Sequence, residues 1–305
     1  MCQLPSLGKP VTWKDTGETS LHGPVVLGFL EDVGEVAACG TWNNKSDKTC
    51  HRLSAAGGSQ PSWKKMPSLM RNHCPAAECT WSHYLTDIGW LIIGPGDDLW
   101  KEHVITSTEL FDHSQFWIPA NISSPFTYNC SSNYHSHEES FSTIPANACT
   151  VKINNSHIMV TGGDFGLHTN KSYILNMADF TWTETAEMPV DRAFHGCALT
   201  GNGEVLVAGG EDGQGIELLQ VQIYNFDNNS WRHEGSLPAS IDKYGNYYLT
   251  ILLWEGENIL PYEDQLWIRN ATDFTWKLMN ATLGEKFYGR DDPVIIVPGD
   301  FIQCP

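Results

Sequence analysis

The sequence has few basic residues and no long apolar run. Its 305 residues include 18 Lys and Arg against 36 Asp and Glu, which gives a net charge of −18. Because nucleic acids and anionic membranes carry negative charge themselves, neither is an expected partner. No apolar run approaches the length of a membrane span, so we expect no span. No long segment has the amphipathic period of a helix either, so we expect almost no helix.

Common catalytic motifs are absent as well. The sequence contains no Gly-x-Ser-x-Gly elbow, no phosphate-binding glycine loop and no His-Glu-x-x-His helix motif. These motifs carry the nucleophiles, phosphate sites and zinc sites of large enzyme classes. We therefore expect a non-catalytic protein without a cofactor.

One pattern occurs twice in succession. The first copy has His-Ile-Met-Val-Thr-Gly-Gly at 157–163, Ala-Asp-Phe-Thr-Trp at 178–182 and Met-Pro at 188–189. The second has Glu-Val-Leu-Val-Ala-Gly-Gly at 204–210, Val-Gln-Ile-Tyr-Asn-Phe-Asp at 221–227, Trp231 and Leu-Pro at 237–238. An apolar run closed by two glycines predicts a strand buried on both faces, followed by a turn that needs positive φ. The alternating run after it predicts a more exposed, paired strand, so each copy is one small antiparallel sheet.

This pattern resembles the kelch repeat, whose units run to roughly 50 residues and fold as four-stranded blades of a β-propeller. Five tryptophans recur near that period: Trp63, Trp117, Trp182, Trp231 and Trp276 are separated by 54, 65, 49 and 45 residues. The resemblance implies an all-β, six-bladed propeller of kelch type with four-stranded antiparallel blades. A tryptophan-rich β-sandwich without a true repeat is the alternative fold.

The resemblance also implies how the chain is divided. We expect blades at about 23–66, 74–119, 150–189, 193–238 and 246–280, with an insertion at 120–149. Half a blade cannot satisfy its own strand edges. The sixth blade is therefore expected to combine 289–305 with 1–16, which closes the ring as a single domain.

Sequons and cysteines together indicate the secretory pathway. Asn-x-Ser/Thr sequons occur at Asn44, Asn121, Asn129, Asn154, Asn170, Asn228, Asn270 and Asn280. These eight sequons, with nine cysteines, favour a secreted glycoprotein with disulfides. The first residues do not have the form of a signal peptide, so we expect a mature chain or a fragment whose leader is missing.

The cysteines can be paired along this scheme. We expect a Cys39–Cys50 bridge across a hairpin of blade 1 and a Cys74–Cys79 staple in a loop. Cys130 and Cys149 bound the insertion and are expected to tie it. By analogy with blade 1, Cys2 and Cys304 are expected to lock the ring. Cys197 remains as the unpaired cysteine, on a strand where a small apolar side chain is buried.

The insertion contains a short group of possible metal ligands. His135, His137 and Glu138 could together bind zinc or copper. A solvated polar loop explains the same residues without a metal, and no fourth ligand is evident in the sequence. We therefore expect no metal site.

The loops that follow the second strand of each unit combine aromatic and acidic residues. They contain Trp42, Asp97, Asp98, Trp100, Asp164, Phe165, His168, Glu211 and Asp212. Aromatic anchors ringed by charge are typical of a surface that recognises a protein or a glycan. The segment 188–196 resembles the kelch link between blades, which directs Arg192 and His195 toward the central channel. They could act as an anion clamp and a base, but we favour a role in satisfying strand ends.

These observations predict a secreted, non-catalytic propeller that binds an extracellular protein or glycan through loops on one face. One alternative is an enzyme, either carbohydrate-active or dependent on copper or zinc. Another is a structural component of an extracellular matrix or coat.

Overall fold

The fold is taken from a computed structural model of the chain. It describes residues 26–40, 48–54, 62–70, 81–95, 106–112, 117–119, 122, 124–129, 140–142, 144–164, 167–238 and 249–287. Every helix or strand among these residues is a β-strand, which confirms the all-β prediction. Within the same ranges there is no helix long and apolar enough to cross a membrane.

The strands form antiparallel sheets in which each strand pairs with the next one in sequence. Blade 1 contains β1 (Val26–Leu30), β2 (Glu35–Cys39), β3 (Cys50–Ser54) and β4 (Ser62–Met66). Blade 2 contains β5 (Trp81–Leu85), β6 (Gly89–Pro95), β7 (Thr106–Phe111) and β8 (Trp117–Pro119). A small hairpin follows, made of β9 (Thr127–Asn129) and β10 (Ser140–Ser142).

Blade 3 contains β11 (Cys149–Asn154), β12 (His157–Thr161), β13 (Ser172–Asn176) and β14 (Thr181–Glu184). Blade 4 contains β15 (Gly196–Leu199), β16 (Val205–Ala208), β17 (Gln220–Asn225) and β18 (Ser230–Ser236). Blade 5 contains β19 (Leu252–Trp254), β20 (Glu257–Arg269) and β21 (Trp276–Phe287).

Among the described residues the structure has five blades, where the sequence predicted six. Blades 1 to 4 have four strands each and blade 5 has three. In blade 5, β20 continues through 260–263, at the place where β12 and β16 end in paired glycines. No glycine occurs between 257 and 269, so nothing in this segment favours the positive φ of such a turn. The residues assigned to a sixth blade, 289–305 and 1–16, lie outside the described residues.

The first strands of consecutive blades contact one another in the order of the chain. β1 contacts β5, β5 contacts β11, β11 contacts β15, and β15 contacts β19. Hydrogen bonds link these inner strands: Ser82 Oγ donates to Leu27 O at 2.5 Å, and His83 Nε2 lies 2.8 Å from Thr150 Oγ1. This radial order is that of a β-propeller, which confirms the predicted architecture.

The hydrophobic core lies between the blades, and in blades 2 to 4 the second strand faces two neighbours. In β12, Ile158 and Val160 pack toward blade 2, whereas Met159 packs toward blade 4. In β16, Leu206 packs toward blade 5 and Val207 packs toward blade 3. Because successive side chains of a strand point to opposite faces, a continuous apolar run can fill both interfaces.

In blades 3 to 5 the recurring tryptophan joins the blade to the one before it. Trp182, Trp231 and Trp276 each pack against the core between their own blade and the preceding one. Trp231 Nε1 also donates to the carbonyl oxygen of Ala186, at the exit of blade 3, at 2.9 Å. Asn229 Oδ1 accepts a hydrogen bond from the Ala186 amide at 2.7 Å. The spacing of tryptophan thus reflects a contact that is repeated at successive blade junctions.

The disulfides agree with the sequence prediction at one place and correct it at another. Cys39 and Cys50 are bonded across β2 and β3, as predicted. Cys197 is bonded to Cys149, so the predictions of an unpaired Cys197 and of a Cys130–Cys149 tie are wrong. The bond joins β11 and β15, the first strands of adjacent blades, with a Cα–Cα distance of 5.9 Å. Residues about one repeat apart in sequence become neighbours in adjacent blades. Pairing cysteines within single repeats therefore does not find this bond. Cys2, Cys74, Cys79, Cys130 and Cys304 lie outside the described residues.

Candidate binding face

The connections of blades 3 and 4 emerge at two ends of the ring. Because neighbouring strands are antiparallel, the loop after a second strand lies at the same end as the link to the next blade. This end, the loop face, consists of 162–164, 167–171, 188–195 and 209–219. The opposite end, the turn face, consists of the short turns at 31–34, 155–156, 200–204, 226–229 and 255–256. A bridge between Ala193 and Glu211 shows that link and loop are in contact.

Paired glycines allow the link to lie directly on the loops. Gly162, Gly163, Gly209 and Gly210 all have positive φ, between 58° and 105°. A Cβ on Gly162 would overlap the carbonyl oxygen of Arg192, so no larger residue fits there. The amide of the next residue, Gly163, donates a hydrogen bond to the same carbonyl oxygen at 2.8 Å. The predicted positive-φ turns are therefore confirmed, and they also fix the link in place.

Arg192 and His195 lie beneath this face. Arg192 Nη1 donates to the carbonyl oxygens of Gly209 at 2.6 Å and Gln220 at 3.3 Å, where β16 ends and β17 begins. His195 Nε2 lies 2.9 Å from Thr161 Oγ1 at the end of β12. Both side chains are buried. They hold strand ends together, in keeping with the role that the sequence favoured.

Burial also sets the charge states of these two groups. Desolvation lowers the pKa of Arg192 to about 10, which leaves the guanidinium charged at neutral pH. Desolvation, and after it the charges of Arg192 and His168, holds the pKa of His195 well below its usual value. His195 is therefore neutral at physiological pH. With Thr161 it forms a buried contact between an imidazole and a hydroxyl.

The surface layer above them consists of His168 and carboxylates. His168 Nε2 lies 3.6 Å from Glu211 Oε1, so this pair connects the loop of blade 3 with that of blade 4. Asp212 Oδ1 accepts the amides of Gln214 and Ile216, each at 2.9 Å, and closes a turn. The bonds of Asp212 hold the turn at 212–216. Among the candidates from the sequence, the structure thus brings His168, Glu211 and Asp212 together.

Asp164 belongs to the same end of the ring. It forms bridges with Ala146, in the link that enters blade 3, and with His168. Its amide donates to the Ala146 carbonyl oxygen at 2.7 Å. The loop of blade 3 thus repeats the arrangement that Glu211 has with Ala193 in blade 4.

Two aliphatic side chains on this face were missed by the sequence analysis. Leu167 is 74% exposed and Ile216 is 55% exposed, on loops of blades 3 and 4. The two loops are connected by the pair of His168 and Glu211. The signal was an isolated leucine or isoleucine in a polar, glycine-rich loop. A pattern of aromatic anchors does not include such residues.

Several predicted residues lie outside the described part of the chain. They are Trp42, Asp97, Asp98, Trp100 and Phe165 of the loops, and His135, His137 and Glu138 of the insertion. Within the described part, no three His, Cys, Asp or Glu side chains are grouped so as to hold a metal ion.

The loop face combines exposed apolar surface with carboxylate groups. Leu167 and Ile216 provide apolar surface, and the neighbouring carboxylates provide sites for ion pairs. No protein-family model matches the chain, and no curated protein matches it significantly. The geometry of the loop face is therefore the basis for assigning a function.

Proposed function

We propose that this protein is a secreted, N-glycosylated propeller of kelch type that binds a protein partner through its loop face and does not catalyse a reaction. The observation that carries this proposal is the exposure of Leu167 and Ile216 on loops of adjacent blades, which His168 and Glu211 connect. Single exposed aliphatic residues are common on protein surfaces. Two on the same face, on loops of adjacent blades, offer a partner apolar surface that binding can remove from water.

The proposed family is supported by the way in which the repeats are built. The paired glycines admit the link, Arg192 bonds to the glycine turn of the next blade, and the tryptophan packs on the previous blade. Each feature of the quoted sequence pattern thus has a structural role at the same place in successive units.

Secretion is supported by the disulfides and by the placement of sequons. The two bonds Cys39–Cys50 and Cys149–Cys197 are compatible with an oxidising compartment. Asn154 and Asn228 are exposed on the turn face, where a glycan would project away from the loop face. Asn170 lies at the loop-face end, and its Nδ2 donates to Glu187 Oε2 and to Met188 O.

A protein is favoured over a glycan because the exposed apolar residues described on the loop face are aliphatic. Sugar rings are commonly bound against aromatic faces, whereas leucine and isoleucine contribute to protein interfaces by excluding water. On this face the ring of Phe194 is partly covered, and it lies 5.9 Å from the ring of His168, edge to face.

The test is a binding screen with the intact chain. The wild-type chain, the variant Leu167→Ser/Ile216→Ser and the control variant Val33→Ser are immobilised, and extracellular proteins and a glycan array are offered to each. Val33 is 42% exposed but lies on the turn face. We expect a protein that is retained by the wild type and the control and lost by the double variant. Binding of glycans alone, or copper or zinc in stoichiometric amount in the purified protein, contradicts the proposal.

A further inference from the structure

Two carboxylates accept backbone amides of the turn that ends in Ile216. Asp212 Oδ1 accepts the amides of Gln214 and Ile216, and Asp191 Oδ2 accepts the amide of Gly213 at 3.0 Å. An amide stabilises a carboxylate but does not neutralise its charge. In the described structure these bonds use one oxygen of each carboxylate. Two negative charges therefore flank one rigid turn.

The positive groups near this turn are engaged elsewhere. Arg192 is buried and donates to backbone carbonyl oxygens. Lys171 forms ion pairs with Glu184 and Glu187, at 3.0 Å and 2.6 Å. The loop face thus keeps negative charge beside the exposed Ile216, in a chain whose net charge is −18.

From this juxtaposition we infer that the occupant of the loop face is a cationic protein segment in which lysine or arginine flanks an apolar side chain. This inference rests on the proposed function and names the chemistry of its partner. The apolar side chain lies against Leu167 and Ile216, and the cations pair with Asp191 and Asp212. Complementary charge of this kind raises the rate of association and discriminates against acidic partners.

The direct test uses labelled nonapeptides as probes and fluorescence anisotropy with the intact chain. One peptide alternates lysine with leucine; a second replaces leucine by serine, and a third replaces lysine by glutamate. We expect the lysine–leucine peptide to bind at least about tenfold more tightly than either of the others. The variant Leu167→Ser/Ile216→Ser should bind the lysine–leucine peptide no better than the lysine–serine peptide. Equal binding of the glutamate–leucine peptide overturns the inference.

The charge is tested with isosteric variants. Asp191→Asn/Asp212→Asn keeps an oxygen acceptor for each backbone amide but removes both charges, and it should weaken binding of the lysine–leucine peptide roughly fivefold at low salt. The control Asp227→Asn/Glu255→Gln removes two exposed charges from the turn face and should leave the affinity unchanged. An equal loss in both variants indicates an effect of net charge alone and overturns the inference. A natural partner that requires Leu167 and Ile216 but ignores Asp191 and Asp212 would refute this inference and leave the proposed function standing.

Discussion

At the scale of single residues, Gly203 and Gly210 have the same backbone conformation in different surroundings. Both have a φ of 78°. A Cβ on Gly203 would meet nothing within 4 Å, whereas one on Gly210 would overlap the Ala193 carbonyl oxygen and press on the backbone of His195. Substitutions at the two positions therefore separate two costs: that of positive φ alone, and that of displacing the backbone that packs against the glycine.

We predict that Gly210→Ala destabilises the fold more than Gly203→Ala. The alanine at 203 has only the left-handed conformation to accommodate, which costs about 1 kcal/mol. At 210 the link must also move, so we expect a loss of at least about 2 kcal/mol in the free energy of unfolding. Urea unfolding of both variants measures the difference. Equal losses would show that the link does not depend on contact with the glycine turn.

The partly buried histidine His83 makes stability depend on pH. Burial, and secondarily the charge of Lys152, lowers its pKa from 6.5 to about 4. As pH falls, the imidazole of His83 is protonated in the unfolded chain at a higher pH than in the folded chain. The contribution of neutral His83 to the free energy of unfolding is therefore complete above pH 6.5 and is lost as pH falls toward 4.

We predict that lowering the pH from 7 to 5 costs about 2 kcal/mol through His83. The variant His83→Gln, which can still hydrogen-bond Thr150, should reduce this pH dependence by that amount. The exposed His233 serves as control, since His233→Gln should leave the dependence as in the wild type. Unfolding midpoints of each variant at the two pH values measure this dependence. A change in midpoint as large in His83→Gln as in the wild type would contradict the role of His83.

At the scale of strands and blades, stability depends on the seams between blades. The Cys149–Cys197 bond crosses such a seam, whereas Cys39–Cys50 lies within one blade. The first closes a separation of 48 residues and the second one of 11. In the chain-entropy account the longer loop restricts the unfolded state more.

We predict that Cys149→Ala/Cys197→Ala lowers the free energy of unfolding by about 4 kcal/mol, against about 3 kcal/mol for Cys39→Ala/Cys50→Ala. Alanine is chosen because serine at 149 would create a sequon at Asn147. Non-reducing peptide maps confirm the pairing first. A Cys149–Cys130 peptide, or a smaller loss for the longer loop, would contradict the account.

The second strands and their glycine turns could be predicted from the sequence because their signals are local. An apolar run and two glycines specify β12 and β16 without knowledge of any other element. The partner of Cys197 and the carbonyl acceptors of Arg192 could not be predicted in the same way. Both lie across a seam, and a backbone carbonyl has no signature in the sequence. The same limit explains why Leu167 and Ile216 were missed, since exposure depends on what the neighbouring blade leaves uncovered.

At the scale of the whole molecule, each seam between consecutive blades is filled by side chains from both. A further buried cluster, with Trp254, Ile259 and Leu266, has members from blade 5 only among the described residues. The terminal segments lie outside those residues, so the Cys2–Cys304 bridge stays a prediction. Non-reducing peptide mapping tests it: Cys2 free, or joined to another cysteine, would contradict the bridge.

The central claim is that the loop face of blades 3 and 4 binds the partner. Hydrogen–deuterium exchange of the intact chain, with and without a captured partner, tests this most directly. We predict slower exchange at 167–171 and 209–219 in the complex, and unchanged exchange in the turns 200–204 and 226–229. Protection confined to those turns, with none at 209–219, would contradict the claim.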